Sequence, residues 1–415
     1  MTADPSPVQA SAAARSVGLD AARSLAIGAV LLCHGLFILH AALFPLTPPL
    51  FTIGALLGYY GVELFFVLSG FLIGSILFTE VVPNPCLHSI GRFFLRRWLR
   101  ILPAYYAVLF LLTMLEPGSS VVPRWDYLLL LQNYDRAAES FFPVSWSLTI
   151  EHWSYLAAPL VLLVLPRLFR RLAAEPWQRI ALSLLLVCVL SVLARLATGL
   201  WIDAPWDAGF RKQIHLRLDA VVFGVLMAAC RHWRPALFRR LASTPILLAV
   251  VAGLALLVHA QATTMLAANT PAGLDTSLFF KTLGFTLTGL LLALTLPFFA
   301  CHQLFNVLPG RAPLFYTLCT QGSRYAYSLY LVHFSVFVAA RRMLADGAEL
   351  SLLPRILALL LGDCAALALS CLAAIILYRC IEKPGMDARR LFASGGVCWP
   401  TVANGLKRQS EDIKG

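Results

Sequence analysis

The chain has 415 residues, of which 59% are hydrophobic and only 13% charged, with a formal net charge of +12. A soluble domain carries about 25% charged residues, so a water-facing globular enzyme is excluded. The positive balance matches the excess of Lys and Arg that membrane proteins keep in cytoplasmic loops, and it points to a lipid bilayer, not a nucleic acid, as the partner.

Residues 1–17, MTADPSPVQASAAARSV, are rich in Ala, Ser and Pro and read as a disordered N-terminal segment. No small-residue cleavage site follows the first apolar run, so that run reads as a retained helix and not as a removed signal. Apolar runs close to the ~20 residues that a bilayer-crossing helix needs then recur at about 24–44, 58–78, 101–115, 154–168, 181–200, 218–230, 246–260, 278–300, 326–340 and 356–378. The alternating dyads of barrel strands are absent, so the spans are helices. The predicted fold is all-α: a polytopic membrane bundle of about ten transmembrane helices over residues 18–385, followed by a cytoplasmic tail at 386–415. Several spans are short for a full crossing, so tilts or kinks are expected. The ten cysteines lie mostly inside apolar spans, without CxxC or Cys/His ligand spacing, so neither a disulfide framework nor a metal site is expected.

Charge sets the orientation. With the N-terminus inside, the inward loops hold Arg92, Arg96, Arg97 and Arg100, then Arg167, Arg170, Arg171 and Arg179, then Arg231, Arg234, Arg239 and Arg240, then Arg311 and Arg324. The tail adds Arg389, Arg390, Lys407 and Arg408. The outward loops mix signs, with Arg124 beside Asp126, Asp135 beside Arg136, and Asp203 and Asp207 near Arg211 and Lys212. Both termini are therefore expected in the cytoplasm.

Ionisable side chains inside spans are costly and mark function by default. In GLDAARSLAIGAVLLCHG, Arg23 and His34 are eleven residues apart. On a helix that is three turns plus roughly 20°, so both face one way about 16 Å apart along the axis. The bland reading of His34 is a histidine that bonds a neighbouring helix to lock packing. The second span, GVELFFVLSGFLIG, carries Glu63 one turn in from the outer side, and Gly70 with Gly74 as a small face for close helix contact. In RFFLRRWLR, Arg97 and Arg100 face together. They read as a positive-inside anchor or as an anion site for a phosphorylated cytosolic ligand, since guanidinium forks suit phosphate oxygens. The fourth span opens with SWSLTIEHWSYL, which brings Glu151 and His152 beside the belt aromatics Trp146, Trp153 and Tyr155. Asp219 in RLDAVVFG, His333 in YSLYLVHF and Glu382 in IEKPG are further polar insertions, Glu382 and Lys383 reading as an interfacial pair.

Taken in order, GLDAARSLAIGAVLLCHG, GVELFFVLSGFLIG, RFFLRRWLRILPAYY, SWSLTIEHWSYL, RLDAVVFGVLMA, YSLYLVHF and IEKP resemble the acyltransferase 3 family of integral membrane O-acyltransferases, from about Gly18 to Pro384. The resemblance implies a ten-helix bundle in the bacterial inner membrane. Such a bundle moves an acyl group, commonly acetyl, from cytosolic acyl-coenzyme A to a hydroxyl of a carbohydrate or glycolipid acceptor such as a cell-surface polysaccharide. Acyl-coenzyme A is then a donor substrate, with no permanently bound cofactor and no metal. The family's arginine and histidine of the first helix map onto Arg23 and His34, its RxxR pair onto Arg97 and Arg100, and the carboxylate of its WSLxxE segment onto Glu151. This chain departs from the pattern next to Glu151, where His152, Trp153 and Ser154 replace the usual carboxylate, Gln and Phe.

The candidate site is accordingly Arg23, His34 and Glu151 for catalysis, Arg97 and Arg100 for the donor, and Glu63, Asp219 and His333 for substrate contact. An imidazole titrates near pH 6.5, so His34 is expected as general base or as transient acyl carrier. The donor enters from the cytoplasmic side and the acceptor from the other, near Glu63 and Glu151. A secondary transporter is the alternative, but such bundles often show repeated halves with broken helices, and no such symmetry appears in the sequence.

Overall fold

Ser16 stands in extended backbone and its hydroxyl accepts from the Leu19 N–H at 3.4 Å, so the first helix starts at Val17. The computed structural model describes residues 16–115, 125–134, 141–268, 271–302, 312–344 and 351–388, and all regular structure among them is helical. The expected segment 1–17 and tail 386–415 lie outside the described residues, except for the Ser16 cap, Val17 and residues 386–388, which are helical. Arg124, Asp135, Arg136, Arg311, Arg389, Arg390, Lys407 and Arg408 also lie outside them.

Among the described residues eight helices are long and apolar enough to cross a bilayer: α1 (Val17–Leu43), α2 (Pro48–Val81), α3 (Leu87–Leu115), α4 (Ser145–Arg167), α5 (Pro176–Trp201), α7 (Thr244–Ala267), α8 (Leu283–Cys301) and α10 (Leu352–Ala388). The two remaining predicted spans are helices of another kind. α6 (Val222–Trp233) has only twelve residues. α9 (Pro313–Leu344) is long, but hides Thr320, Ser323, Ser328 and His333 inside the bundle.

The boundaries differ from the expected ones for local reasons. α3 starts well before Ile101 because its basic run is itself helical, with Phe93 buried on its inner face. Pro103 sits inside α3 and leaves the Leu99 carbonyl without its helical donor. That carbonyl lies so close to Gly385 of α10 that a Cβ there would come within 2.5 Å of the oxygen. α4 begins at Ser145, nine residues earlier than expected, and so carries Glu151 within the helix. The expected span at 278–300 is broken at Thr282, whose hydroxyl bonds back to the Leu278 carbonyl at 2.7 Å. The expected span at 218–230 becomes α-helical only at Val222, and residues 218–221 are held in turns. Cys86 is disulfide-bonded, a departure from the reading of the cysteines as small apolar residues, whereas Cys33, Cys188 and Cys319 are free and buried.

α2 is the pillar of the bundle. It packs against α1, α4, α6, α7 and α8, while α1 also holds α9 and α9 holds α10. α7 and α10 are mostly exposed, as lipid-facing helices are. α2 and the start of α6 come close together at two glycines. A Cβ on Gly70 would lie 2.0 Å from the Val221 oxygen, and one on Gly224 would lie 2.0 Å from the Val67 oxygen. Each backbone thus fills the space that a side chain would need on the other.

Gly70→Ala or Gly224→Ala should therefore force α2 and α6 apart and cost at least the ~1–3 kcal/mol typical of overpacking. The measurement is the thermal midpoint of the purified protein, with Gly28→Ala as the control, because nothing lies within 4 Å of a Cβ at Gly28. Equal midpoints for all three variants would mean that the close approach is not required.

Candidate active site

Two cavities lie along the interior face of α1, an inner one beside Arg23 and an outer one beside His34, so named only by their order along that helix. The inner one holds about 100 Å³ and is walled by Arg23 of α1, Ser69 of α2, Arg97 and Arg100 of α3, and Glu151 and Tyr155 of α4. Arg23 is fixed by its neighbours: its Nη1 donates to Ser323 Oγ at 2.9 Å, and that hydroxyl donates to Asp20 Oδ1 at 2.5 Å. The Arg97 guanidinium stands over the Tyr155 ring, 5.1 Å from its centre. Ser69 donates to the Glu151 carboxylate and hydrogen-bonds the Tyr155 hydroxyl. Arg97 and Arg100 also wall a flanking pocket of about 190 Å³ with Arg96 and Glu80, which are themselves paired at 2.6 Å. The RxxR pair is therefore shared between the inner cavity and this flanking pocket. Four arginines, Arg23, Arg97, Arg100 and Arg324, line the inner cavity against one carboxylate, Glu151, a balance that suits an anion.

The outer cavity is larger, about 690 Å³, and is walled by His34 and Cys33 of α1, Tyr59 of α2, Trp146 of α4, and Trp206 and Arg211 of the short π-helix Trp206–Arg211. Arg211 stands over three rings, 4.9 Å from Trp146, 5.4 Å from Tyr59 and 5.8 Å from Trp206. Its Nη1 pairs with Asp207 at 2.9 Å, and Lys212 binds the same carboxylate. Burial alone would push the Asp207 carboxyl up, but Arg211 and Lys212 outweigh it and hold that carboxyl below the ordinary range, so Asp207 stays anionic. Aromatic faces beside paired charges give stacking surfaces and hydrogen-bonding groups in one chamber.

Val62 and Tyr330 belong to the walls of both cavities. The Tyr330 hydroxyl bonds Ser147 Oγ at 2.6 Å and donates to the Val144 carbonyl at 3.1 Å, which fixes the ring in the partition. Close to that partition stands His34, whose Nδ1 is 2.9 Å from Nε2 of the fully buried His333. His333 Nδ1 in turn is 3.0 Å from the Leu329 carbonyl. Phe334 meets the His34 ring edge-on at 5.2 Å.

The structure thus brings together Arg23, Arg97, Arg100 and Glu151 in the inner cavity, and His34 with His333 at the outer one. Glu151 was expected on the outer, acceptor side. It belongs with the arginines because α4 starts at Ser145, which puts Glu151 six residues, about 9 Å, inside the helix. Glu63 and Asp219 line neither cavity. Glu63 receives Arg217 Nη2 on both oxygens at 2.8 and 2.7 Å, and Asp219 takes Arg195 on both oxygens at 2.8 Å. Every member of these two pairs is nearly or fully buried. Glu382 accepts from Ser328 at 2.6 Å, while Lys383 pairs with Asp387, so the expected Glu382–Lys383 pair is not formed. Among the described residues no group of three or more His, Cys, Asp or Glu is placed to hold a metal ion.

Asp20, Ser69, Tyr155, Arg211, Ser323 and Tyr330 were not singled out from the sequence as site residues. Asp20 carries a readable signal, since it precedes Arg23 by one helical turn. The others come to the cavities through packing between helices remote in sequence. Removing one member of a buried ion pair strands the other charge and costs about 3–5 kcal/mol. Glu63→Gln should therefore lower the thermal midpoint and the folded yield, and leave acceptor KM of the surviving enzyme unchanged. A normal midpoint with a raised acceptor KM would instead make Glu63 a substrate contact.

The family described as "Acyltransferase domain" (acyltransferase 3) matches residues 16–379. An uncharacterized protein of Haemophilus influenzae is 27% identical over 40% of this chain and 73% of its own. The peptidoglycan O-acetyltransferase OatA of Listeria monocytogenes is 31% identical over 26% of this chain, and the match spans only 20% of that protein. No solved structure matches. The family match runs from the cap of α1 into the last helix, across both cavities, and the chain belongs to the acyltransferase 3 family as a multi-pass membrane acyltransferase.

Proposed function

We propose that the protein is an O-acyltransferase that moves an acyl group, acetyl first among them, from acyl-coenzyme A on the cytoplasmic side to a hydroxyl of a carbohydrate or glycolipid on the other. The observation that carries this reading is the pair of cavities sharing Val62 and Tyr330, one lined by arginines and one by His34 and aromatic rings. The name of the Listeria monocytogenes relative supports acetyl as the group transferred.

In this reading residues 18–385 form the acyltransferase domain, with ten crossings and both termini in the cytoplasm of a bacterial inner membrane. The clustering of Arg92, Arg96, Arg97 and Arg100 on the donor side supports that orientation. Arg97 and Arg100 hold coenzyme A phosphates, and the pantetheine arm runs up the inner cavity past Arg23. Glu151, bound to Ser69 and surrounded by arginines, keeps those guanidinium groups in place between turnovers. Glu63 and Asp219 act through their arginine partners as struts of the bundle, not as substrate contacts.

The acceptor occupies the outer cavity, its ring against Trp146, Trp206 or Tyr59 and a hydroxyl near His34. His34 takes the hydroxyl proton as the oxygen attacks the thioester carbonyl. The C–O bond forms, the tetrahedral oxyanion collapses, the C–S bond breaks, and the imidazolium returns the proton to the coenzyme A thiolate. Arg23, and the Tyr330 hydroxyl at the partition, are the nearby donors for the developing oxyanion.

His34→Ala should insert and bind donor normally, yet lose about 10²–10⁴-fold in acyl transfer, the usual contribution of a general base. Labelled acetyl-coenzyme A and free-thiol release read that loss, and retained turnover would remove His34 from the chemistry. Arg97→Gln and Arg100→Gln each delete charge-assisted hydrogen bonds of about 1.5–3 kcal/mol. Donor affinity should then fall by about tenfold or more for each in a titration. Unchanged affinity would return the pair to the role of topology anchors.

A further inference from the structure

The contact between His34 and His333 decides which nitrogen of His34 faces the substrate. His333 is fully buried on α9, with Nδ1 3.0 Å from the Leu329 carbonyl oxygen one turn back. A carbonyl only accepts, so the proton of that hydrogen bond sits on His333 Nδ1. A neutral imidazole has one N–H, and His333 Nε2 is therefore a bare lone pair. It lies 2.9 Å from His34 Nδ1. Two bare nitrogens do not approach so closely, so His34 Nδ1 carries the proton and donates. His34 Nε2 is then left bare on the ring that lines the outer cavity.

A second proton on His333 would place a cation at zero exposure, and among the described residues no carboxylate bonds either ring to compensate it. The charged groups sharing the cavity nearest this pair include Arg211 and Lys212, both already bound to Asp207. The neutral arrangement is the one the surroundings support.

We propose that His333 is a positioning residue that locks His34 in its Nδ1–H tautomer and so presents Nε2 as the basic atom to the acceptor hydroxyl. In a free histidine side chain the Nε2–H form is the more stable, so the His333 contact, alongside the Val30 carbonyl one turn back that also meets the His34 ring, is what holds the proton on Nδ1. The relay Leu329 C=O, His333, His34 uses a neutral ring where other acyl-transfer sites use a carboxylate to orient the base. His333 touches no substrate in this arrangement, in contrast to the substrate contact expected from the sequence. The proposal rests on His34 being the base.

The test is solid-state NMR of the full-length protein in lipid, labelled with ¹⁵N-histidine, because protonated and bare imidazole nitrogens resonate far apart. The His34 signals are found by difference from His34→Gln. Wild-type protein should show His34 with Nδ1 protonated and Nε2 bare. His333→Leu should move the proton to Nε2 and lower kcat by about 10²–10⁴-fold, the range for loss of a general base, with acceptor KM unchanged. His333→Gln, whose amide oxygen replaces Nε2 as acceptor, should restore the Nδ1–H form and much of kcat. An Nε2–H signal for His34 in the wild type, or a tautomer that His333→Leu leaves unaltered, overturns the proposal. If the tautomer is as expected but His34→Gln transfers acyl at the wild-type rate, the base assignment fails while the lock stands.

Discussion

A charge inside a bilayer must find a partner, and the way this bundle distributes its partners determines everything else about it. Glu63 with Arg217 and Asp219 with Arg195 are closed pairs, each carboxylate held on both oxygens and hidden from solvent. They tie α2 and α5 to the segment before α6. Arg97, Arg100 and Arg23 are different: they line a cavity together with the carboxylate of Glu151, and Arg23 is also tied to Asp20. In the proposed reading, that surplus of guanidinium over carboxylate is what suits the inner chamber to a phosphorylated ligand. Replacing a closed pair disturbs the scaffold, whereas replacing a cavity arginine disturbs the ligand.

The same division explains why α1 and α2 form the centre of the architecture. α2 approaches α6 through Gly70 and Gly224, where a Cβ on either would stand 2.0 Å from the other helix's backbone oxygen. α1 is pinned at one end by the Asp20–Ser323–Arg23 network and at the other by the His34–His333 contact, both reaching α9. With α1 fixed at two heights against one helix, its interior face runs past both cavities. A wider, π-helical turn over Gly35–His40 begins just after His34, a feature often found beside functional residues. In the proposed reaction these fixed elements supply orientation, and the thioester and the hydroxyl meet where neither has to cross the bundle.

Much of this was legible in the sequence wherever the information is local. Arg23 and His34 lie on uninterrupted helix, so a spacing of eleven residues places them on one face whatever surrounds them. Arg97 and Arg100 are readable for the same reason. The partners were not readable. Glu63 meets Arg217 across 154 residues and His34 meets His333 across 299, and helical periodicity says nothing about which helices touch. The start of α4 was misjudged because Trp146, Ser147 and Thr149 look like an interfacial loop, yet they are buried in the bundle, and this moved Glu151 from the acceptor side to the arginines. α9 starts thirteen residues before the expected span, at Pro313, because the stretch with Thr320 and Ser323 is also helical and turns these hydroxyls inward.

The central claim is that acyl donor and acceptor reach His34 from opposite faces of the membrane. Sealed vesicles of defined orientation, given radiolabelled acetyl-coenzyme A from outside only, test it most directly through the label recovered in alkali-labile glycan esters. The account predicts labelling by inside-out vesicles, which expose Arg97 and Arg100, and by right-side-out vesicles only after permeabilisation. Equal labelling by intact right-side-out vesicles would contradict it.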